Sequence, residues 1–171
     1  MKRRLRQYAF VALLLGTASV WAFGDQFRPS EIITGANVRV RDGDTISIGD
    51  AIIRLHGIDA PEYRQTCKDA AGRDWPCGRV ARTRLAALVN AGSIRCTTLA
   101  IDRYHRRVAR CAATGVPDLS AALVAAGLAI SPDDRGTARY ADEQRVARAA
   151  RRGVWQGAFD LPSTWRDTHA R

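Results

Sequence analysis

Histidine, acid and long apolar runs are all scarce in this chain of 171 residues, and each scarcity narrows the function. His56, His105 and His169 do not recur at metal-ligand spacing, so they read as structural or surface groups. No two cysteines are spaced C-x-x-C, which argues against a zinc site or a thioredoxin-like redox motif. No serine sits in a strained glycine elbow, so a Ser–His–Asp hydrolase finds no support. Nothing alternates as βαβ, which disfavours a parallel sheet. There are no repeats and no low-complexity tract. The one extended apolar run, Tyr8 to Val20, is short for a membrane-spanning helix. Acids number 17 against 27 lysines and arginines, a formal charge of +10. A surplus of that sign favours polyanions by long-range attraction, although solubility alone would also be served by it.

Part of the charge belongs to an expected export signal. Lys2, Arg3, Arg4 and Arg6 precede the apolar run, and Val20-Trp21-Ala22 offers a cleavage site with a small residue last. Loss of residues 1–22 lowers the charge from +10 to +6. The chain is therefore expected to be exported, periplasmic or secreted, the alternative being an uncleaved N-terminal anchor. Cys67, Cys77, Cys96 and Cys111 then imply two disulfides, as an even count in an exported chain does.

After a leader over 23–36, Val38 and Val40 alternate with Arg39 and Arg41 as in a half-buried strand. Asp42-Gly43 is a turn signal, Thr45 to Ile48 a second strand, Gly49-Asp50 another turn, and Ala51 to His56 a third strand. In that strand Ile53 and Leu55 share one face, while Ile52, Arg54 and His56 share the other. An arginine on a partly apolar face needs a partner or a cleft. A loop follows from Ala60-Pro61, in which a Cys67–Cys77 bridge would close a short ring beside Glu62, worth about 2–3 kcal/mol by loop entropy. Val80 to Val89 is helical, with Val80, Leu85, Leu88 and Val89 on one stripe. Ser93–Ile101 and Arg107–Ala113 form a hairpin. A turn centred between Arg103 and Tyr104 sets Cys96 opposite Cys111, so that a bridge there would lock the register. Two further helices, Leu119–Ala126 and Tyr140–Arg152, and an aperiodic tail over 156–171 complete an α+β order. Five short strands suit a small Greek-key barrel.

The chemistry concentrates between Asp42 and Glu62. Carboxylates at strand ends and turns suit a hard cation, because calcium and magnesium take oxygen ligands. Arg54 suits a phosphate, because its planar fork makes two charge-assisted hydrogen bonds. Cation, arginine and a spare carboxylate together are what phosphodiester hydrolysis requires. Asp42 reads as a turn residue and not as a primary ligand. Asp59 and Glu62 could in principle form a glycosidase pair, but the basic surface argues against a neutral sugar.

Asp42-Gly43-Asp44-Thr45, Arg54 through Glu62, and Asp102-Arg103-Tyr104-His105-Arg106 together resemble the thermonuclease (staphylococcal nuclease-like) family, over roughly residues 38 to 155. Gly153-Val154-Trp155 is similar to that family's closing Gly-x-Trp. Phe159, Pro162 and Trp165-Arg166, with the paired cysteines, resemble an exported bacterial subgroup. The resemblance implies a five-stranded OB-fold β-barrel with three α-helices, over residues 37–155. It also implies a calcium-dependent phosphodiesterase acting on DNA and RNA, expected to be monomeric and to prefer single strands. By position, Asp44 and Asp59 correspond to the calcium carboxylates and the Ala60 carbonyl to a backbone ligand. Arg54 and Arg106 correspond to the phosphate-binding arginines, Glu62 to the carboxylate that handles the attacking water, and Arg103 and Tyr104 to contacts with a neighbouring phosphate.

Two positions depart from the family pattern. His105 replaces the usual glycine before Arg106, in a turn that favours φ > 0. Gly127-Leu128-Ala129 is followed by Ile130-Ser131-Pro132-Asp133, without the aromatics on which a base can stack, which predicts weaker nucleotide binding or a substitute from Tyr140 or Trp165. The competing reading is a non-catalytic nucleic-acid-binding module on the same barrel. Against it, such a module has no need to keep Asp44, Arg54, Asp59, Glu62 and Arg106 together.

Overall fold

The computed structural model describes residues 31–132 and 138–169, so the expected signal segment lies outside the described residues. Six strands make one sheet: β1 (Ile32–Gly35), β2 (Val38–Val40), β3 (Thr45–Ile48), β4 (Ala51–Leu55), β7 (Ile94–Ile101) and β8 (Arg107–Ala113), in the order β1-β7-β8-β4-β3-β2. All neighbours are antiparallel except β4 and β8, which run parallel. β1 and β2 lie at opposite edges of the sheet yet are separated by only Ala36 and Asn37. That short link draws the edges together and curls the sheet into an OB-fold-like half-barrel. Gly35 sits where they meet, since a Cβ there would lie 2.6 Å from Ile48 Cγ2.

The sequence predicts five strands. The sixth arises because Ile32–Gly35, within the expected leader, pairs with β7. Flanking Pro29 and Gly35 hide so short a strand from periodicity. A two-stranded ribbon, β5 (Cys67–Lys68) and β6 (Asp74–Trp75), occupies the long loop.

Helix α1 (Cys77–Val89) starts three residues earlier than its apolar stripe suggests. Its buried face is Ala81, Leu85, Leu88 and Val89. Val80, expected on that stripe, is 39 % exposed, because Cys77 sets the helix rotation and Ala81 takes the inward position. Helices α2 (Leu119–Ala125) and α3 (Ala141–Ala149) fall close to expectation. Asp118 caps α2 by accepting from the Ala121 amide at 3.1 Å. A 3₁₀ turn, Gly153–Gln156, follows α3. The tail then adds a fourth helix, α4 (Pro162–Thr168), where three helices were expected. Pro162 opens it, preset for a helical first turn.

Ile46, Ile53, Leu55 and Ile94 from the sheet meet Leu85 and Leu119 from the helices in the main core. Each such buried side chain contributes about 2 kcal/mol. Ile53 and Leu55 face inward, so Arg54 between them faces the other side of β4. Cys96 pairs with Cys111 across β7 and β8 and the two form a disulfide, as the hairpin register demands. Cys67 and Cys77 form the second disulfide and join the β5–β6 ribbon to the start of α1.

Candidate active site

The site is assembled from the β2–β3 turn, β4, the loop after it, the β7–β8 turn and α4. Asp42 behaves as a turn residue, its Oδ1 accepting from the Asp44 amide at 3.2 Å. That turn directs Asp44 inward, where it is only 4 % exposed. Its carboxylate accepts from the Thr45 hydroxyl at 2.9 Å and from the Ala60 amide at 3.2 Å. The same carboxylate lies 2.9 Å from the Arg54 guanidinium. Burial pushes the Asp44 pKa up to about 7, with Arg54 opposing the rise.

Arg54 bridges the two aspartates. One terminal nitrogen meets Asp44, while the other donates to Asp59 Oδ1 at 2.8 Å and to the Ile58 carbonyl at 3.4 Å. Burial opposes its charge, but Asp44 and Asp59 outweigh it and raise its pKa. Asp59 is held at an isolated bridge with Ile130, each amide donating to the other's carbonyl at 2.9 Å.

Glu62 is fixed through its backbone. Its amide donates to Gln65 Oε1 at 3.1 Å, and its carbonyl accepts from the Gln65 amide at 2.8 Å. Gly78 of α1 abuts it so closely that a Cβ there would lie 1.7 Å from the Glu62 carbonyl oxygen. The Glu62 carboxylate receives the Arg166 guanidinium at 2.9 Å. Arg166 also donates to both oxygens of Asp59, at 3.0 Å each. These bonds, the one to Asp59 foremost, keep the guanidinium more firmly protonated than a free arginine.

Arg106 arrives from the β7–β8 turn. Asp102 organises that turn, accepting from the amides of Tyr104 at 2.9 Å and Arg106 at 3.0 Å, and from Arg106 Nε at 2.8 Å. Burial would raise the Asp102 pKa, and the bonds from Arg106 and Tyr104 overcome it, so the group stays below its ordinary range. His105 adopts φ 61°, the left-handed conformation expected of that position. Tyr104 is 61 % exposed, with the guanidinium carbons of Arg103 and Arg106 at 4.8 and 5.3 Å from its ring centroid.

Asp42, Arg54, Glu62, Arg103, Tyr104, Arg106 and Arg166 line one open cleft of about 210 Å³. Asp44 and Asp59 lie behind Arg54, each hydrogen-bonded to its guanidinium. A larger cavity of about 630 Å³ adjoins it, sharing Arg54 and Arg166 and walled by Ile130, Pro132, Trp155 and Leu161. Neither expected substitute for the missing aromatics is available. Tyr140 is buried with its hydroxyl donating to Asp118, and Trp165 stacks on His169 at 4.2 Å. Trp155 is the aromatic that reaches the cavity, with Arg148 over its ring at 4.2 Å.

The donor chemistry suits a hard divalent cation, since Asp44 and Asp59 offer carboxylate oxygens beside the Ala60 peptide. Among the described residues, however, no three His, Cys, Asp or Glu side chains gather around one point. The negative charge of Asp44, Asp59 and Glu62 is met by Arg54 and Arg166.

Two residues of this site escape sequence reasoning. Gln65 belongs to none of the motifs, Arg166 belongs only to the subgroup pattern of the tail and carries no role there, and the tertiary packing of the tail against the disulfide loop brings both in. The nearest signal is Trp165-Arg166 following a helix-starting proline.

Comparison with known proteins agrees with the geometry. The succinoglycan biosynthesis protein ExoI of Rhizobium meliloti is 35 % identical over 118 residues, covering 68 % of this chain and 62 % of that protein. The probable endonuclease LCL3 of Scheffersomyces stipitis is 32 % identical over 114 residues, covering 61 % of this chain and 47 % of that protein. The matched stretch therefore spans less than two thirds of either relative. The model of the staphylococcal nuclease homologues matches residues 52–157, well over half of the chain, and the chain belongs to that family.

Proposed function

We propose that this protein is a calcium-dependent nuclease that hydrolyses phosphodiester bonds of DNA and RNA with low sequence selectivity. One observation carries the reading: Arg54, Glu62 and Arg106 line a single open cleft, and Arg54 ties the two buried aspartates, Asp44 and Asp59, to it by hydrogen bonds. Family membership and the endonuclease name of one relative point the same way. Calcium is inferred from the family resemblance and from the oxygen-only donor set.

Asp44, Asp59 and the Ala60 carbonyl would hold the cation, which when bound acts as a Lewis acid on a phosphate oxygen. The planar forks of Arg106 and Arg54 bind and orient the phosphodiester and favour the extra negative charge of the transition state. Glu62 accepts a hydrogen bond from water on the side opposite the leaving oxygen and takes up its proton. Tyr104 and Arg103, on the lip, take the next phosphate and offer a stacking face to a neighbouring base. Nothing in the sequence suggests a helix built to read base edges, so base identity goes unread and unpaired strands enter most easily. The two disulfides support an oxidising compartment, consistent with export.

The polysaccharide role in the name of the rhizobial relative prompts a glycosidase reading of Asp59 and Glu62. Arg166 bridges those two carboxylates, and the cleft beside them is lined by arginines that suit a phosphate and not a neutral sugar. Purified protein should degrade single-stranded DNA with calcium and stop when a chelator is added. Equal hydrolysis with chelator, or none in either condition, overturns the proposal.

A further inference from the structure

Arg166 has no part in the roles above, yet its guanidinium bonds two of the site's carboxylates, Asp59 and Glu62. Its guanidinium donates to Asp59 Oδ1 and Oδ2, at 3.0 Å each, and to Glu62 Oε1 at 2.9 Å. Arg54 adds a bond to Asp59 Oδ1 at 2.8 Å. Both oxygens of Asp59 are therefore taken by guanidinium donors. Any divalent cation that uses Asp59 competes with Arg166 for the same lone pairs and is repelled by its charge.

The tail that delivers Arg166 is held independently of it. Lys68 donates its amide to the Ala158 carbonyl at 2.8 Å, and Gly157 packs on the backbone of Lys68 and Asp69. Gln65, 1 % exposed, donates through Nε2 to the Asp160 carbonyl at 2.7 Å. Its Oε1 meanwhile accepts from the Glu62 amide. The tail thus grips Glu62 twice, at the backbone through Gln65 and at the carboxylate through Arg166. The Arg166 side chain is itself 32 % exposed, so its loss opens no core cavity.

We propose that Arg166 is a positioning residue of the hydrolytic site: it holds the Glu62 carboxylate and sets the site's cation affinity by competing for Asp59. This rests on the cation-dependent reading above. Removing one positive charge within hydrogen-bond distance of Asp59 strengthens attraction for a divalent ion, by about tenfold or more in affinity. Releasing Glu62 from its fork lowers turnover, and a displacement of about 1 Å costs on the order of 100-fold.

The experiment titrates calcium by calorimetry into wild type, Arg166→Gln and Arg166→Lys, and measures hydrolysis of single-stranded DNA at saturating calcium. Circular dichroism confirms folding. Arg166→Gln should bind calcium at least about tenfold more tightly while kcat falls roughly 10- to 100-fold and KM for the strand changes little. Arg166→Lys keeps the charge but cannot span both carboxylates. It should shift calcium affinity less and still lose turnover, and it carries the test if the glutamine variant fails to fold. Calcium binding by wild type with unchanged or weaker affinity in the variants overturns this inference alone, as does unchanged kcat. No calcium binding by any of the proteins overturns it together with the cation reading.

Discussion

Replacing Gly78 by alanine sets two effects of opposite sign against each other. Gly78 is the second residue of α1, and on helix propensity alone alanine stabilises by up to about 1 kcal/mol. Packing opposes this. The new Cβ would lie 1.7 Å from the Glu62 carbonyl oxygen, 2.6 Å from its carbon and 3.1 Å from the Tyr63 carbonyl carbon. Ordinary contact begins near 3.4 Å, so helix and loop must separate by more than 1 Å. The obstacle is backbone, which cannot swing aside as a side-chain tip can. Overpacking costs about 1–3 kcal/mol, and a backbone atom at 1.7 Å puts this case at the upper end, about 2–3, so the net change is a loss of about 1–2 kcal/mol. For a chain of this size that lowers Tm by roughly 3–8 °C. The catalytic consequence is larger. The displaced segment carries Glu62 and the Gln65-to-Glu62 amide bond of 2.8 Å, and a shift of about 1 Å in a reacting group costs on the order of 100-fold in rate. Thermal denaturation and DNA hydrolysis on the same preparation make the test. A Gly78→Ala protein that is more stable than wild type and equally active would refute the claim that α1 fixes Glu62 through this contact.

Four other outcomes follow from the same geometry. Glu62→Gln should lower kcat by about 10²- to 10⁴-fold with Tm little changed, read by steady-state kinetics, since the amide still accepts from Arg166 but takes no proton from water. Arg54→Lys should lose both activity and stability, the latter by about 1–3 kcal/mol, because an ammonium keeps the charge but cannot bridge Asp44 and Asp59; denaturant unfolding reads this. His105→Val should lower Tm and kcat together by forcing a β-branched residue to φ 61°, at a cost of about 1–2 kcal/mol. Cys67→Ser with Cys77→Ser should cost about 2–3 kcal/mol and speed protease cleavage between residues 62 and 77.

Most of the site was legible because its residues sit in local patterns. Alternation along Ala51–Leu55 put Arg54 on the face away from the core, and the hairpin register put Arg106 at the turn and Cys96 opposite Cys111. The positive φ at His105 followed from the turn alone. What escaped depends on long-range packing. Nothing near Trp165 in the chain predicts that Arg166 reaches Glu62, 104 residues away, because that contact is made by backbone bonds between the tail and the Cys67 loop. The same holds for Gln65, a polar residue whose burial no periodicity signals. The four residues of β1 are too few to show alternation, and a covalent bridge at Cys77, and not the apolar stripe, fixes how α1 is turned and leaves Val80 off the buried face.

The strap that brings Arg166 to Asp59 and Glu62 orders events during synthesis. A ribosome adding about 5–20 residues per second delivers Glu62 roughly 5–20 s before Arg166. Through that interval Asp59 and Glu62 lack the Arg166 guanidinium, and Gln65 lacks the Asp160 carbonyl. On the proposed reading, the nascent chain lacks this grip on Glu62 until residue 166 has been added.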